Sequence, residues 1–176
     1  LMRLIAKFID TQAQELLDAN VRLRIIGRRD RFADDLCTAI HDLEQRSSKN
    51  TGLNLTVALD YGGRQDIASA ALAVAKEIEA GMLTADDVND DLLKSRMSTK
   101  ILPPVDLLIR TGGEKRISNF LLWDLSYAEL FFSDKLWPDF TRSDLFDAIT
   151  SFQGRQRRFG GGYYDSDQML RVVVSD

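Results

Sequence analysis

Short strand-forming runs alternate with segments of helical period along this chain, and that alternation narrows the fold more than any other feature. Residues 21–26 (VRLRII) set apolar against basic side chains with the period of a strand that buries one face, and Gly27 ends the run. Residues 53–59, 106–109 and 129–132 read as further strands. Between them, residues 34–46, 66–80 and 84–98 predict helices. Asp30 is a plausible cap for the first, Gly81 stands where the second stops, and T-A-D-D from Thr84 has the shape of a capping box with Asp in place of Glu. Residues 1–19, with Leu1, Leu4, Ile5, Phe8, Ile9, Leu16 and Leu17 at helical spacing, form an opening helix stopped near Asn20. A last helix is expected from Ser143 to about Phe159, ahead of Gly160-Gly161-Gly162. Residues 119–125 fit a helix or an extended segment, and the tail beyond Gly162 holds YY and VVV without a clear partner. Strands joined through helices require crossover connections, so the chain is expected to be α/β, with a mostly parallel central sheet flanked by helices. Such sheets bind ligands beyond the carboxyl ends of their strands. Glycine pairs break two strands there, in Tyr61-Gly62-Gly63-Arg64 and in Thr111-Gly112-Gly113.

A chain of 176 residues is long enough to bury a core and is read as one domain over 1–176, with the tail from about 163 unassigned. The formal charge of −4, from 23 Lys+Arg against 27 Asp+Glu, argues against nucleic acid as a partner. A single cysteine, Cys37, excludes an intrachain disulfide and fits a reducing compartment. No apolar run approaches the roughly 18 residues of a membrane span, and there is no signal-peptide pattern, so a cytoplasmic protein is expected.

The chemistry concentrates around the second glycine break. Arg110 and Arg116 flank it and Ser118 follows, so two guanidinium groups and a hydroxyl stand beside glycine backbone amides. Planar guanidinium forks suit a diphosphate, although the same spacing also describes a surface loop with solvated arginines. Glu129 lies in an apolar strand and needs a partner, either an arginine in a salt bridge or a metal ion. His41 reads as a solvated helix residue, Cys37 as a small packing residue, and Arg155, Arg157 and Arg158 as a basic run at a helix C-terminus.

Residues 106–132, DLLIRTGGEKRISNFLLWDLSYAELFF, resemble nearly residue for residue the signature of the cis-prenyltransferases, best known as bacterial undecaprenyl diphosphate synthases. The resemblance extends over residues 1–162. It implies that Arg110, Arg116 and Ser118, with the backbone of Ile117, bind the diphosphate of isopentenyl diphosphate. It maps Glu129 onto a glutamate that helps to place Mg²⁺, an ion that favours carboxylate oxygen together with water and phosphate. Asp60-Tyr61-Gly62-Gly63-Arg64 is similar to the family's N-Y-G-G-R, with Asp60 for asparagine, and Lys115 stands where many bacterial relatives have histidine. The resemblance further implies a tunnel for the growing prenyl chain, with Ala6, Phe8, Leu53 and Leu55 as candidates that ordinary core packing also explains. It implies a homodimer packed through the stretch 120–132 with Trp137, and transient membrane contact as a lipid product leaves.

Two family segments, D-G-N-x-R-W and S-x-E-N-W, do not occur in these residues. The first carries the catalytic aspartate, expected upstream of Leu1, so the chain reads as the C-terminal part of an N-terminally truncated catalytic domain. No residue of this chain is then catalytic, and the polypeptide alone is expected to be inactive. The parent enzyme would condense isopentenyl diphosphate with farnesyl diphosphate into a long-chain Z-prenyl diphosphate, undecaprenyl diphosphate for the cell-wall lipid carrier. The alternatives are a non-catalytic partner subunit of such an enzyme and a generic phosphate-binding α/β domain.

Overall fold

The structure, a computed structural model, describes residues 11–154 and the strand Val172–Ser175. The apolar stripe before residue 11, with Ala6 and Phe8, lies outside the described residues, as do Arg155, Arg157, Arg158 and the glycine triplet 160–162. Contacts divide the chain into two compact units, residues 1–66 and 67–176. Every strand pairing among the described residues is parallel, the sense that long crossover connections impose.

In the first unit a helix over residues 11–18 (α1) ends at Asn20, whose φ of 58° turns the chain into strand β1, Arg22–Ile26. Helix α2, Asp34–Ser47, follows, and then strand β2, Asn54–Ala58, pairs with β1 from Arg22↔Asn54 to Ile26↔Ala58. Leu23 and Ile25 of β1 pack with Phe32 and with Leu36, Ile40 and Leu43 of α2, and Cys37 packs against this core. Beside β1, side chains of α2 serve the strand's backbone directly. Leu23 N–H donates to Ser47 Oγ (3.1 Å) and Ile25 N–H to Glu44 Oε1 (2.8 Å), while Arg29 donates to the Ile25 carbonyl (2.9 Å). These bonds satisfy backbone groups that would otherwise be left open in a buried setting. Asp30 does not cap α2. Ala33 occupies the cap position without a side-chain bond, and Asp30 is held by Arg28, whose guanidinium lowers its carboxyl below the ordinary range.

Helix α3, Gly63–Glu79, starts three positions earlier than Asp66 and takes part of the glycine break into its first turn. In the second unit Thr84 caps only a 3₁₀ turn, Ala85–Asp87, where one helix to about Ser98 was expected. The Asp87 carboxylate accepts from Thr84 N–H (2.7 Å), and Asn89 then caps a separate helix, α4, Asp90–Arg96, by accepting from Leu92 N–H (2.9 Å). Consecutive acids and caps split what local period alone would join. A second 3₁₀ turn, Ser98–Ile101, leads into strand β3, Leu107–Arg110.

All four residues of β3 are buried, and parallel strands flank it: β4, Glu129–Phe132, on one edge and β5, Val172–Ser175, on the other. The valine tail therefore has a partner in β3, registered Leu107↔Val172 to Arg110↔Ser175. Helix α5, Arg142–Gln153, packs Ala148 onto Leu107 and Ile109, with Phe131, Phe140, Leu145 and Phe152 around them. It ends at Gly154, short of Phe159. Residues 119–125 are neither helix nor strand but a succession of turns.

Candidate functional site

The site grows from the end of β3. Burial pulls Leu107, Leu108 and Ile109 inward and carries Arg110 with them, so this arginine is only 6% exposed. A buried cation needs acceptors, and the following loop supplies them. Arg110 Nη1 donates to the carbonyl of Arg116 and to Ser118 Oγ (2.8 Å). The fork thus folds residues 111–118 back over the strand end. Arg110 Nε is buried without a hydrogen-bond partner among the described residues, a donor that the fold itself leaves unused.

Arg116 is placed differently. Its side chain is exposed and paired with Glu114, itself exposed. Such a pair is weak in water, so an incoming phosphate can displace the carboxylate at little cost. Ser118 sits at φ 47° and Asn119 at φ 67°, left-handed conformations that non-glycine residues adopt rarely and that cluster at ligand sites. Because Ser118 Oγ accepts from Arg110, its own proton is left to donate outward. Ile117 is half-buried and its carbonyl accepts from Phe120 N–H (3.0 Å), which tightens the turn.

The glycine amides do not face a ligand as expected from the sequence. Gly112 N–H donates to the Lys135 carbonyl (2.7 Å) and Gly113 N–H to the Ser133 carbonyl (2.9 Å). At φ 83° and 78° these glycines bend the chain toward the segment that follows β4, where carbonyls were waiting for donors. Anion recognition here rests on side chains.

Glu129 opens β4, half-buried and opposite Leu107 in the register, and its N–H donates to the Asp106 carbonyl (2.9 Å). Arg110 pairs with Phe132. Glu129 therefore stands three residues back along the strand pair, roughly 10 Å at about 3.3 Å per residue. The structure brings Arg110, Arg116 and Ser118 together and leaves Glu129 at the other end of the strands. Among the described residues no group of three or more His, Cys, Asp or Glu side chains could hold a metal by itself. One carboxylate fits Mg²⁺ only where phosphate and water supply the remaining ligands.

In the first unit Asp60 has φ 48°, a conformation that Asp and Asn tolerate best, which explains why either suits this position. Its carboxylate faces Arg31 at 3.5 Å. Leu55 packs against the core, whereas Leu53 is exposed. His41 is exposed, as read from its helix. The stretch 120–132 divides: Leu121 and Leu125 are buried, Tyr127 and Leu130 are exposed, and Trp137, also exposed, stacks on Phe140 at 6.0 Å.

Sequence reasoning missed the groups that brace the loop. Asp124, buried, pairs with Lys94, which also donates to the carbonyl (2.8 Å) and hydroxyl (2.9 Å) of Thr99. A lone acid within the apolar run FLLWDL was the available signal. Lys135 Nζ meets Asp144 at 2.7 Å while its carbonyl holds Gly112, and no local pattern announces that double role.

A protein family described as "Putative undecaprenyl diphosphate synthase" matches residues 1–160. An isoprenyl transferase of Rhodopirellula baltica is 44% identical over 161 residues, 92% of this chain and 66% of its own. A ditrans,polycis-undecaprenyl-diphosphate synthase ((2E,6E)-farnesyl-diphosphate specific) of Aliivibrio fischeri is 46% identical over 160 residues, 91% of this chain and 62% of its own. The chain thus spans under two thirds of these relatives' length. Among solved structures, lavandulyl diphosphate synthase from Lavandula x intermedia, in complex with dimethylallyl diphosphate, matches with TM-score 0.86 and 38% identity over 91% of this chain and 70% of that one. A probable undecaprenyl diphosphate synthase from Campylobacter jejuni matches with TM-score 0.76 and 34% identity, covering 90% and 72%.

Proposed function

Because this chain belongs to the family described as putative undecaprenyl diphosphate synthase, we propose that it forms part of the catalytic domain of a cis-prenyltransferase and carries the seat of its isopentenyl diphosphate. The reaction is condensation of isopentenyl diphosphate with an allylic diphosphate, farnesyl diphosphate, to a long-chain Z-prenyl diphosphate such as undecaprenyl diphosphate. The names of the bacterial relatives support farnesyl diphosphate as the allylic substrate and undecaprenyl diphosphate as the product. The observation that carries the reading is the buried fork of Arg110, which builds the loop presenting Arg116 and Ser118 while keeping one buried N–H unpartnered.

In this reading Arg116 binds the diphosphate through its exposed fork, Ser118 donates its hydroxyl proton to a phosphate oxygen, and Arg110 stabilises the charge from behind. Ile117 lends its backbone to the seat. The diphosphate so held directs the alkene of isopentenyl diphosphate toward the allylic carbon, where a C–C bond forms as the C–O bond to the departing diphosphate breaks and a proton is lost from the new chain. Glu129, about 10 Å back along the strand pair, would help to place Mg²⁺ at the diphosphate indirectly, through water. When bound, that ion supplies neutralisation of phosphate charge. No residue of this chain is assigned to the departure of the allylic diphosphate. The working protein is a homodimer that touches the membrane transiently as its product leaves, and the exposed Tyr127, Leu130 and Trp137 are the candidate contacts between copies.

Calorimetric titration with isopentenyl diphosphate tests the assignment. Arg116→Ala is expected to weaken binding by about 10- to 100-fold, the worth of one charge-assisted hydrogen bond, with the unfolding midpoint unchanged. Undiminished binding by this variant, or none by the parent protein, overturns it.

A further inference from the structure

Ser118, Asn119 and Leu121 all lie at positive φ (47°, 67° and 43°), a concentration of left-handed backbone in residues that carry a Cβ. Such conformations persist only where the surroundings over-determine them. One end of this stretch is held by Arg110 through Ser118. The other end runs into Asp124, whose side chain is 2% exposed and pairs with Lys94, 22% exposed.

Lys94 is fully engaged. Its ammonium has three protons, and it donates to the Asp124 carboxylate, to the Thr99 carbonyl at 2.8 Å and to Thr99 Oγ1 at 2.9 Å. Thr99 is fully buried. The Asp124 carbonyl accepts from Val105 N–H (3.3 Å), just ahead of β3, so the same residue ties the turns to the strand's entry. Inside the stretch, Phe120 N–H donates to the Ile117 carbonyl (3.0 Å) and Leu125 N–H to the Leu121 carbonyl (2.9 Å). Leu121 and Leu125 are buried on either side of Asp124.

We propose that Lys94 and Asp124 are positioning residues for the diphosphate seat, a buried charged clamp that holds the turns after Ser118 so that Ser118 and the Arg116 carbonyl meet Arg110. The inference rests on the function proposed above. Apolar packing of Leu121 and Leu125 is non-directional and tolerates a shift of the turn. A hydrogen-bonded ion pair is directional and does not. Neither residue touches the ligand; both act through the backbone of 118–124.

The test separates placement from stability. Replacing both members by apolar residues of similar size, Lys94→Met with Asp124→Leu, removes the charges together, and buried pairs replaced in this way commonly keep or gain stability. Asp124→Asn is the milder variant. Both are expected to raise the dissociation constant for isopentenyl diphosphate about tenfold or more. Both should also speed amide exchange at Phe120 and Leu125 about tenfold relative to the β3 amides, which serve as the internal reference for global opening. Exchange that rises equally in β3, or a dissociation constant equal to the parent's, overturns the clamp. A parent protein that fails to bind isopentenyl diphosphate overturns the functional reading instead, and the exchange ratio still decides the clamp.

Discussion

Glycines show how differently two residues of the same kind are constrained. At Gly27, φ is 103° and an added Cβ would lie 2.1 Å from the Leu59 carbonyl oxygen, at the meeting of the β1 and β2 ends. Neither strand can retreat without breaking the parallel ladder. Gly27→Ala is therefore expected to cost about 2–4 kcal/mol, read from urea unfolding. Gly112, at φ 83°, has nothing within 4 Å of such a Cβ, so Gly112→Ala bears only the left-handed backbone cost, about 1–2 kcal/mol. Equal losses in the two variants would show that space plays no part. The glycines themselves were legible as breaks in the sequence, and so was Arg110 beside one of them. That the Gly112 and Gly113 amides are already engaged by Lys135 and Ser133 was not, because the acceptors lie some 20 residues away and carbonyls leave no mark in a sequence.

At the scale of elements, the start of α5 joins helix capping to the candidate site. The Asp144 carboxylate accepts from Lys135 Nζ, from Thr141 N–H and from the Thr141 hydroxyl, each at 2.7 Å. The Lys135 ammonium first, and then the capping bonds from Thr141, hold its carboxyl well below the ordinary value of 3.8, at about 2. A carboxyl held low in the folded state stabilises the fold fully above its unfolded value near pH 4. That contribution fades as the pH falls toward 2. Thermal unfolding from pH 6 down to pH 2 should accordingly destabilise the parent more steeply than Asp144→Asn, the two curves converging at the acid end. Parallel curves would assign no role to this carboxyl. The periods of α2, α3 and α5 and the strands at β1–β4 could be read locally, since each follows from one repeating pattern of burial. The ends could not: Asp30 was diverted by Arg28, and Asn89 divided a helix that Thr84 was expected to start.

Across the whole molecule, the second unit depends on β3 having a strand on both edges. Its four residues are buried, so an edge without a partner would leave backbone N–H and C=O groups unsatisfied and open to another chain. A protein ending at residue 171, without β5, is expected to unfold at lower temperature and to associate in sedimentation experiments. Unchanged stability and a single unchanged species would mean that β5 contributes little to closing this edge. No helix among the described residues is long and apolar enough to cross a membrane, which agrees with the hydropathy of the chain. The α/β alternation, the parallel sense of the pairings, the family, and the location of Arg110, Arg116 and Ser118 could all be read from the residues alone. Those properties follow from local period and from a motif whose residues are contiguous. Tertiary structure alone decided that Arg110 is buried as the loop's strut while Arg116 remains at the surface, that Glu129 stands at the far end of the strand pair, and that Lys94 reaches Asp124. Each depends on register, burial and a partner distant in the chain, and only folding brings those together.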